Sequence, residues 1–148
     1  MISANTEHVP ISRIGPSTRG SVHFLEPLPG IGTYRDYTIE SLEGAPGVFT
    51  IEAIPRNAHG WAPRLFLIDP EIFTPHYAPE IPSSATAALG TANPMILVVA
   101  NPNGRNESDP ITVNLLAPII LNTATHTAMQ IVLDHSTGYG VAVPLSET

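Results

Sequence analysis

The chain contains no cysteine, which removes disulfides, thiolate nucleophiles and thiolate zinc sites together and fits a reducing compartment. It is also short of charge, with Asp, Glu, Lys and Arg making up 13% of 148 residues. Basic residues are the scarcest, six against thirteen acids, for a formal net charge of −7. An acidic chain repels a phosphate backbone, so direct nucleic-acid binding is disfavoured, while a basic protein partner is favoured by electrostatic steering. Tyr34, Tyr37, Phe66, Phe73 and Tyr77 could stack on bases. With only four arginines from Arg35 to Arg105 and no basic residue beyond, however, the cationic groove that single strands need is missing. Long apolar runs are absent as well. Met95–Ala100 and Leu115–Leu121 are the longest, far short of the roughly 20 residues of a membrane helix. Residues 1–20 lack the basic start and apolar stretch of a signal peptide. A single cytoplasmic domain, 1–148, without membrane attachment is expected.

What is present points to a folded β-domain. Hydrophobic content is 43%, which supports a core. Sixteen prolines and eleven glycines cut the chain into pieces too short for long helices. After a polar lead-in at 1–20, with an edge strand possible at Val9–Ile14, strands are expected at Ser21–Glu26, Tyr37–Leu42, Val48–Ile54, Arg64–Ile68, Met95–Ala100, Ile111–Leu116, Ile119–Asn122, Met129–Asp134 and Tyr139–Leu145. Val22 and Phe24 alternate against Leu25. Pro29-Gly30 suits a type II turn, and Asn101–Pro110 is a loop. Arg64–Ile68 and Met95–Ala100 are continuously apolar, as strands buried on both faces are. Ser83–Leu89 is the one convincing helix, with Ser83 or Ser84 to cap it and Gly90 to end it. Pro118 cannot donate to a ladder and belongs at a bulge, corner or edge. About nine short strands and one short helix imply an all-β fold, a compact antiparallel barrel or sandwich. Leu67, Val98, Leu115, Ile119, Leu121, Ile131 and Leu133 are expected to share one core.

Catalytic chemistry finds little support. The six histidines lie too far apart in sequence for a local zinc motif. Ligands could still converge from distant strands of a small cupin-like barrel, with His76, His126, Asp134 and His135 the first candidates. Ser136 follows His135, but neighbours on a strand point to opposite faces. Glu40 with Glu43, and Asp69 with Glu71, read as solvated turn acids. No catalytic residue, metal or cofactor is assigned.

Two segments exceed generic β-composition. In Thr112–Thr123, Asn114 and Asn122 bracket an apolar run broken by Pro118, and asparagine is a poor strand former unless its amide serves free backbone groups. In the second, Gln130 and Asp134 enclose Ile131, Val132 and Leu133.

Together these segments resemble the signature of the flagellar assembly factor FliW family, T-x-N-L-x-A-P-I-x-x-N, then a short turn, then Q-x-x-L-x-D, with the acid here directly after the leucine. The residues carrying it are Thr112, Asn114, Leu115, Ala117, Pro118, Ile119 and Asn122, then Gln130, Leu133 and Asp134. Phe24 with Leu28, Pro29, Gly30 and Ile31 is similar to the family's F-x-x-G-[IL]-P-G-F turn. Phe66–Pro70 with Ile72, Phe73 and Tyr77 resembles the family's strand and aromatic stretch, and Ala88-Leu89-Gly90 its next helix end. The likeness runs from about Val22 to Leu145. Ala128-Met129 stands where members commonly have Gly-Lys, and Ala142–Leu145 where they have Arg-His-Pro-Leu; any contact using those basic residues is lost. The loops at Arg56–Trp61 and Asn106–Pro110 look individual.

The resemblance implies a non-enzymatic regulator that binds and antagonises the translational repressor CsrA and also binds flagellin. The motif residues Phe24, Pro29, Gly30, Asn114, Leu115, Ala117, Pro118, Asn122, Gln130, Leu133 and Asp134 are read as structural. The partner surface is expected at the acids Glu71, Glu80, Glu107 and Asp109 with exposed Phe73 and Tyr77 as anchors, on a monomer.

Overall fold

The computed structural model describes residues 19–102 and 110–145. The edge strand expected at Val9–Ile14 lies outside them. Strands β1 (Arg19–Phe24), β2 (Asp36–Ser41), β3 (Val48–Ala53) and β4 (Arg64–Ile68) form an antiparallel meander. Short helices α1 (Pro70–Phe73) and α2 (Ser83–Leu89) lead to β5 (Met95–Asn101), which pairs with β4. Strands β6 (Thr112–Val113), β7 (Ile119–Asn122), β8 (Thr127–Gln130) and β9 (Val143–Pro144) follow. The sheet runs β4-β3-β2-β1-β8-β7-β5-β6-β9, and the extra β4–β5 pairing closes a seven-stranded barrel with β6 and β9 outside the ring. Of the expected barrel and sandwich, the chain forms the barrel. The ring closes through a parallel β1–β8 contact, His23 opposite Thr127 and Phe24 opposite Ala128, in a sheet whose other pairings are antiparallel.

Period-2 alternation explains the interior. Val22, Phe24, Ile39, Ile51, Leu67, Leu97, Ile119, Leu121 and Ala128 point inward and leave a void of only about 10 Å³ among them, and Tyr37 and Phe49 belong to the same buried cluster. Continuous apolar runs survive where the outer face is also covered. On β5, Leu97 packs inward while Val98 and Ala100 join Ile68, Val113 and Leu115 in a second cluster under Phe73, Tyr77 and Tyr139. A third cluster, Ala85, Leu89, Leu116, Ile120, Ile131 and Leu133, lies beneath α2 with Leu25 at its edge. The seven residues expected in one core are therefore all buried but divided among three clusters, because outward-facing apolar positions need their own cover.

Three expected strands are shorter or displaced. Ile111–Leu116 retains ladder pairing only at Thr112–Val113. The strand expected at Met129–Asp134 is shifted to Thr127–Gln130, and Tyr139–Leu145 contracts to Val143–Pro144. The reason is a bulge. Val113 pairs with Ala100 and Ile119 with Leu97, so residues 114–118 span a distance that Val98 and Val99 cover on β5. Pro118 sits at its end, as a residue without an N–H should.

Helix α2 spans the expected residues and ends at Gly90 with φ +79°. Its N-cap, however, is Pro82, and neither serine caps it through its side chain; both lie inside the first turn. Helix α1 has Asp69 as N-cap, its carboxylate accepting from the Glu71 N–H, and Pro70 at the first helical position.

Candidate functional site

The two unusual segments lie side by side. Asn114 Oδ1 accepts from the N–H groups of Leu116 (3.2 Å) and Ala117 (3.1 Å), the two residues before Pro118. The bulge carbonyls are met from elsewhere. Tyr77 Oη donates to Leu115 O at 2.7 Å and Leu133 N to Leu116 O at 2.8 Å. Gln130 Nε2 donates to Ala117 O at 3.0 Å and Ile131 N to Pro118 O at 3.0 Å. Four successive carbonyls outside a regular ladder are thus satisfied, as buried backbone requires.

Asn122 does equivalent work at the other end of β7. Its Oδ1 accepts from Ala124 N and Thr125 N, turning the chain toward β8, and its Nδ2 donates to Leu89 O at the end of α2. Asp134 caps the 3-10 turn His135–Thr137; the N–H and hydroxyl of Ser136 hold its carboxyl below the usual carboxylate range, with a smaller contribution from His135. Phe24 is buried in the barrel edge-to-face with Tyr37, ring centroids 5.2 Å apart, and Gly30 takes φ +85° after Pro29.

The expected partner-binding residues fall into three groups. Glu71 and Glu80 are exposed. Glu107 and Asp109 lie outside the described residues. Phe73 and Tyr77, expected to be exposed, are half-buried against the second cluster. Burial pushes the Tyr77 phenol well above the ordinary tyrosine range, with Tyr139 adding to it. Its ring meets Tyr139 edge-on at 4.8 Å, and Tyr139 Oη accepts from Ala78 N at 3.3 Å. Two tyrosines therefore fasten the segment that links α1 to α2.

That segment forms one wall of a groove of about 370 Å³ whose other side is the start of β5. Tyr77, Met95 and Ile96 provide apolar surface inside it, and Asp69 and Glu71 mark its acidic end. Sequence reading found Glu71 and Tyr77 but not Met95 or Ile96. Those two sat in an apolar run read as buried on both faces, and both remain partly exposed. At the far end of β3, Trp61 is 61% exposed on a loop whose turn is held by Asn57 Oδ1, which accepts from His59 N and Trp61 N. Nothing in its polar surroundings marks it in the sequence. The metal candidates do not converge: His126 is buried in the β7–β8 turn, His76 and His135 are exposed elsewhere, and no group of three potential ligands occurs among the described residues. Among those residues no helix is long and apolar enough to cross a membrane.

The sequence profile of the FliW family, described as FliW protein, matches residues 6–145. The chain belongs to the FliW family. A flagellar assembly factor FliW from Thermotoga neapolitana is 34% identical over 74 residues, 47% of this chain and 48% of that protein. The one from Moorella thermoacetica is 26% identical over 119 residues, 76% of this chain and 70% of that protein. The match to the Thermotoga relative thus spans about half of that relative's length. A crystal structure of a flagellar assembly factor FliW superposes with a TM-score of 0.69 at 20% identity over 84% of each chain, a likeness of fold. In this FliW-family chain the signature asparagines and glutamine all bond backbone groups.

Proposed function

We propose that the chain is a cytoplasmic, non-enzymatic flagellar assembly factor that binds and antagonises a CsrA homologue and binds flagellin, so that free flagellin feeds back on its own translation. The observation that carries this is the family match over residues 6–145. The names of the two relatives support the flagellar role. The net charge of −7 suits a basic RNA-binding partner, whose approach it would steer. The exposed acids Glu71 and Glu80, beside half-buried Phe73 and Tyr77, are the proposed contact region.

Calorimetry of the purified chain against the CsrA homologue and flagellin of the same organism tests the reading. Saturable binding to each is expected, with flagellin displacing the CsrA homologue. Absence of binding to both would overturn it.

A further inference from the structure

We infer that the groove between the α1–α2 link and the start of β5 docks a protein segment carrying one apolar side chain flanked by Lys or Arg. The inference deepens the partner-binding reading above by giving the contact a place and a chemistry.

Three features define the occupant. The first is the interior. Tyr77, Met95 and Ile96 present apolar surface that stays partly open in the isolated chain, and Met95 can adapt its shape to a guest. At about 370 Å³ the groove is near the lower bound of roughly 300–1,000 Å³ for ligand pockets, room for side chains rather than a bulky cofactor.

The second is charge. Asp69 and Glu71 line the groove, Glu80 is exposed next in sequence to the lining residue Pro79, and among the described residues no Lys or Arg lines it. Arg56 and Arg64 line a different hollow on the outer face of β2, β3 and β4. A cation flanking the apolar residue therefore meets acids and no competing arginine.

The third is rigidity. The link is pinned by Tyr77 Oη on Leu115 O, by Ala78 N on Tyr139 Oη and by Thr74, whose N–H and hydroxyl both donate to Pro70 O at 2.8 Å. Pro70, Pro79 and Pro94 stiffen the lining and offer no N–H to an incoming strand. Recognition is accordingly by side chains in a preformed cleft, not by extension of the sheet, and little ordering cost opposes binding.

The test uses the full chain and its lack of native cysteine. Ala78 is exposed and lines the groove, so Ala78→Cys supplies a unique thiol for a bulky maleimide; Val132→Cys, at a position 71% exposed, is the control. The Ala78→Cys conjugate is expected to bind the CsrA homologue at least about tenfold more weakly than unmodified protein, and the Val132→Cys conjugate equally well. Glu71→Lys should slow association roughly threefold or more and flatten its salt dependence. In a second arm, the peptide amide Lys-Leu-Lys-Leu-Lys should shift the amide resonances of Ala78 and Met95, whereas Glu-Leu-Glu-Leu-Glu should not. Undiminished binding by the Ala78→Cys conjugate, or loss on Trp61→Ala instead, would overturn the groove. If unmodified protein ignores the CsrA homologue yet the lysine peptide shifts those resonances, the choice of partner fails and the groove stands. If neither peptide shifts them, the groove fails whatever the homologue does.

Discussion

Asn122 Nδ2 donates to the Leu89 carbonyl at 3.0 Å, joining the last residue of β7 to the last residue of α2 across 33 positions of sequence. The contact is buried, and it meets a carbonyl that the helix end leaves without an intrahelical partner. The same side chain accepts from Ala124 N and Thr125 N, so one asparagine ends a helix and starts a turn.

Asn122→Ala should therefore cost about 1–3 kcal/mol, the usual penalty for stranding buried hydrogen-bonding groups. Asn122→Asp separates the two roles. It keeps the acceptor for Ala124 and Thr125 but sets a carboxylate oxygen against the Leu89 carbonyl, so it should also destabilise. Urea unfolding of both variants checks this, and stability equal to the parent for Asn122→Asp would show that the Leu89 contact contributes nothing.

Helix α2 shows how far the sequence could be read. Its apolar positions, its length and Gly90 are all local signals, and they place it correctly. Its true start is not local, because Pro82 precedes the first turn while the serines lie within it. The bulge behaves alike. Pro118 announces a break, and Asn114 beside it suggests a side chain serving the backbone. That the partners of Leu115, Leu116, Ala117 and Pro118 come from Tyr77, Leu133, Gln130 and Ile131 depends on which segments the closed barrel brings together. The groove was half legible for the same reason. Glu71 is conspicuous as an acid in a turn, whereas the opening over Met95 and Ile96 exists only because the α1–α2 link stands away from β5.

Leu133 packs with Leu116, Ile120, Ile131, Ala85 and Leu89 beneath α2, while its neighbour Val132 is 71% exposed. Leu133→Ala should destabilise by about 2–5 kcal/mol through the cavity it leaves. Val132→Ala should change stability by no more than about 0.5 kcal/mol. Similar urea midpoints for the two variants would show that the cluster under α2 is not packed as described.

Tyr37 and Tyr77 both have phenols whose pKa burial raises, with Tyr34 and Tyr139 as secondary causes. In the unfolded chain each ionises near the ordinary value of 10.0. A folded pKa above the unfolded one means that the unfolded state releases its protons first. The stabilisation from the neutral phenols is therefore fully present below that value and lost as pH climbs through the folded pKa. Ultraviolet titration at alkaline pH should show less tyrosinate in native protein than in the urea-unfolded chain, by the share of these two residues. Tyr77→Phe removes one of the retarded phenols along with the bond to Leu115, at a cost of about 1 kcal/mol. Native and unfolded titrations that superimpose would contradict the burial of both hydroxyls.

Gly44 and Gly47 test how α1 is seated, because they share a hairpin and a backbone conformation but not their surroundings. Their φ angles are +79° and +82°, so alanine at either position meets backbone strain of about 1–2 kcal/mol. A Cβ on Gly44 would have nothing within 4 Å, whereas one on Gly47 would lie 2.6 Å from Ile72 Cδ1 and 3.3 Å from Phe73 Cε2. The hairpin is further tied to the helix start, since Asp69 N donates to Gly47 O at 2.8 Å. Gly47→Ala should therefore be more destabilising than Gly44→Ala. Ile72 can swing its exposed tip aside, but Phe73 packs on the cluster of Ile68 and Val98 and gives way less easily. Adding Ile72→Ala should recover about 0.5–1 kcal/mol in the Gly47→Ala background and nothing beyond additivity in the Gly44→Ala background. Thermal or urea unfolding of the two double-mutant cycles measures that difference. Equal coupling in both would mean that α1 does not rest on the hairpin, and the wall of the groove that begins at Asp69 would lose its support.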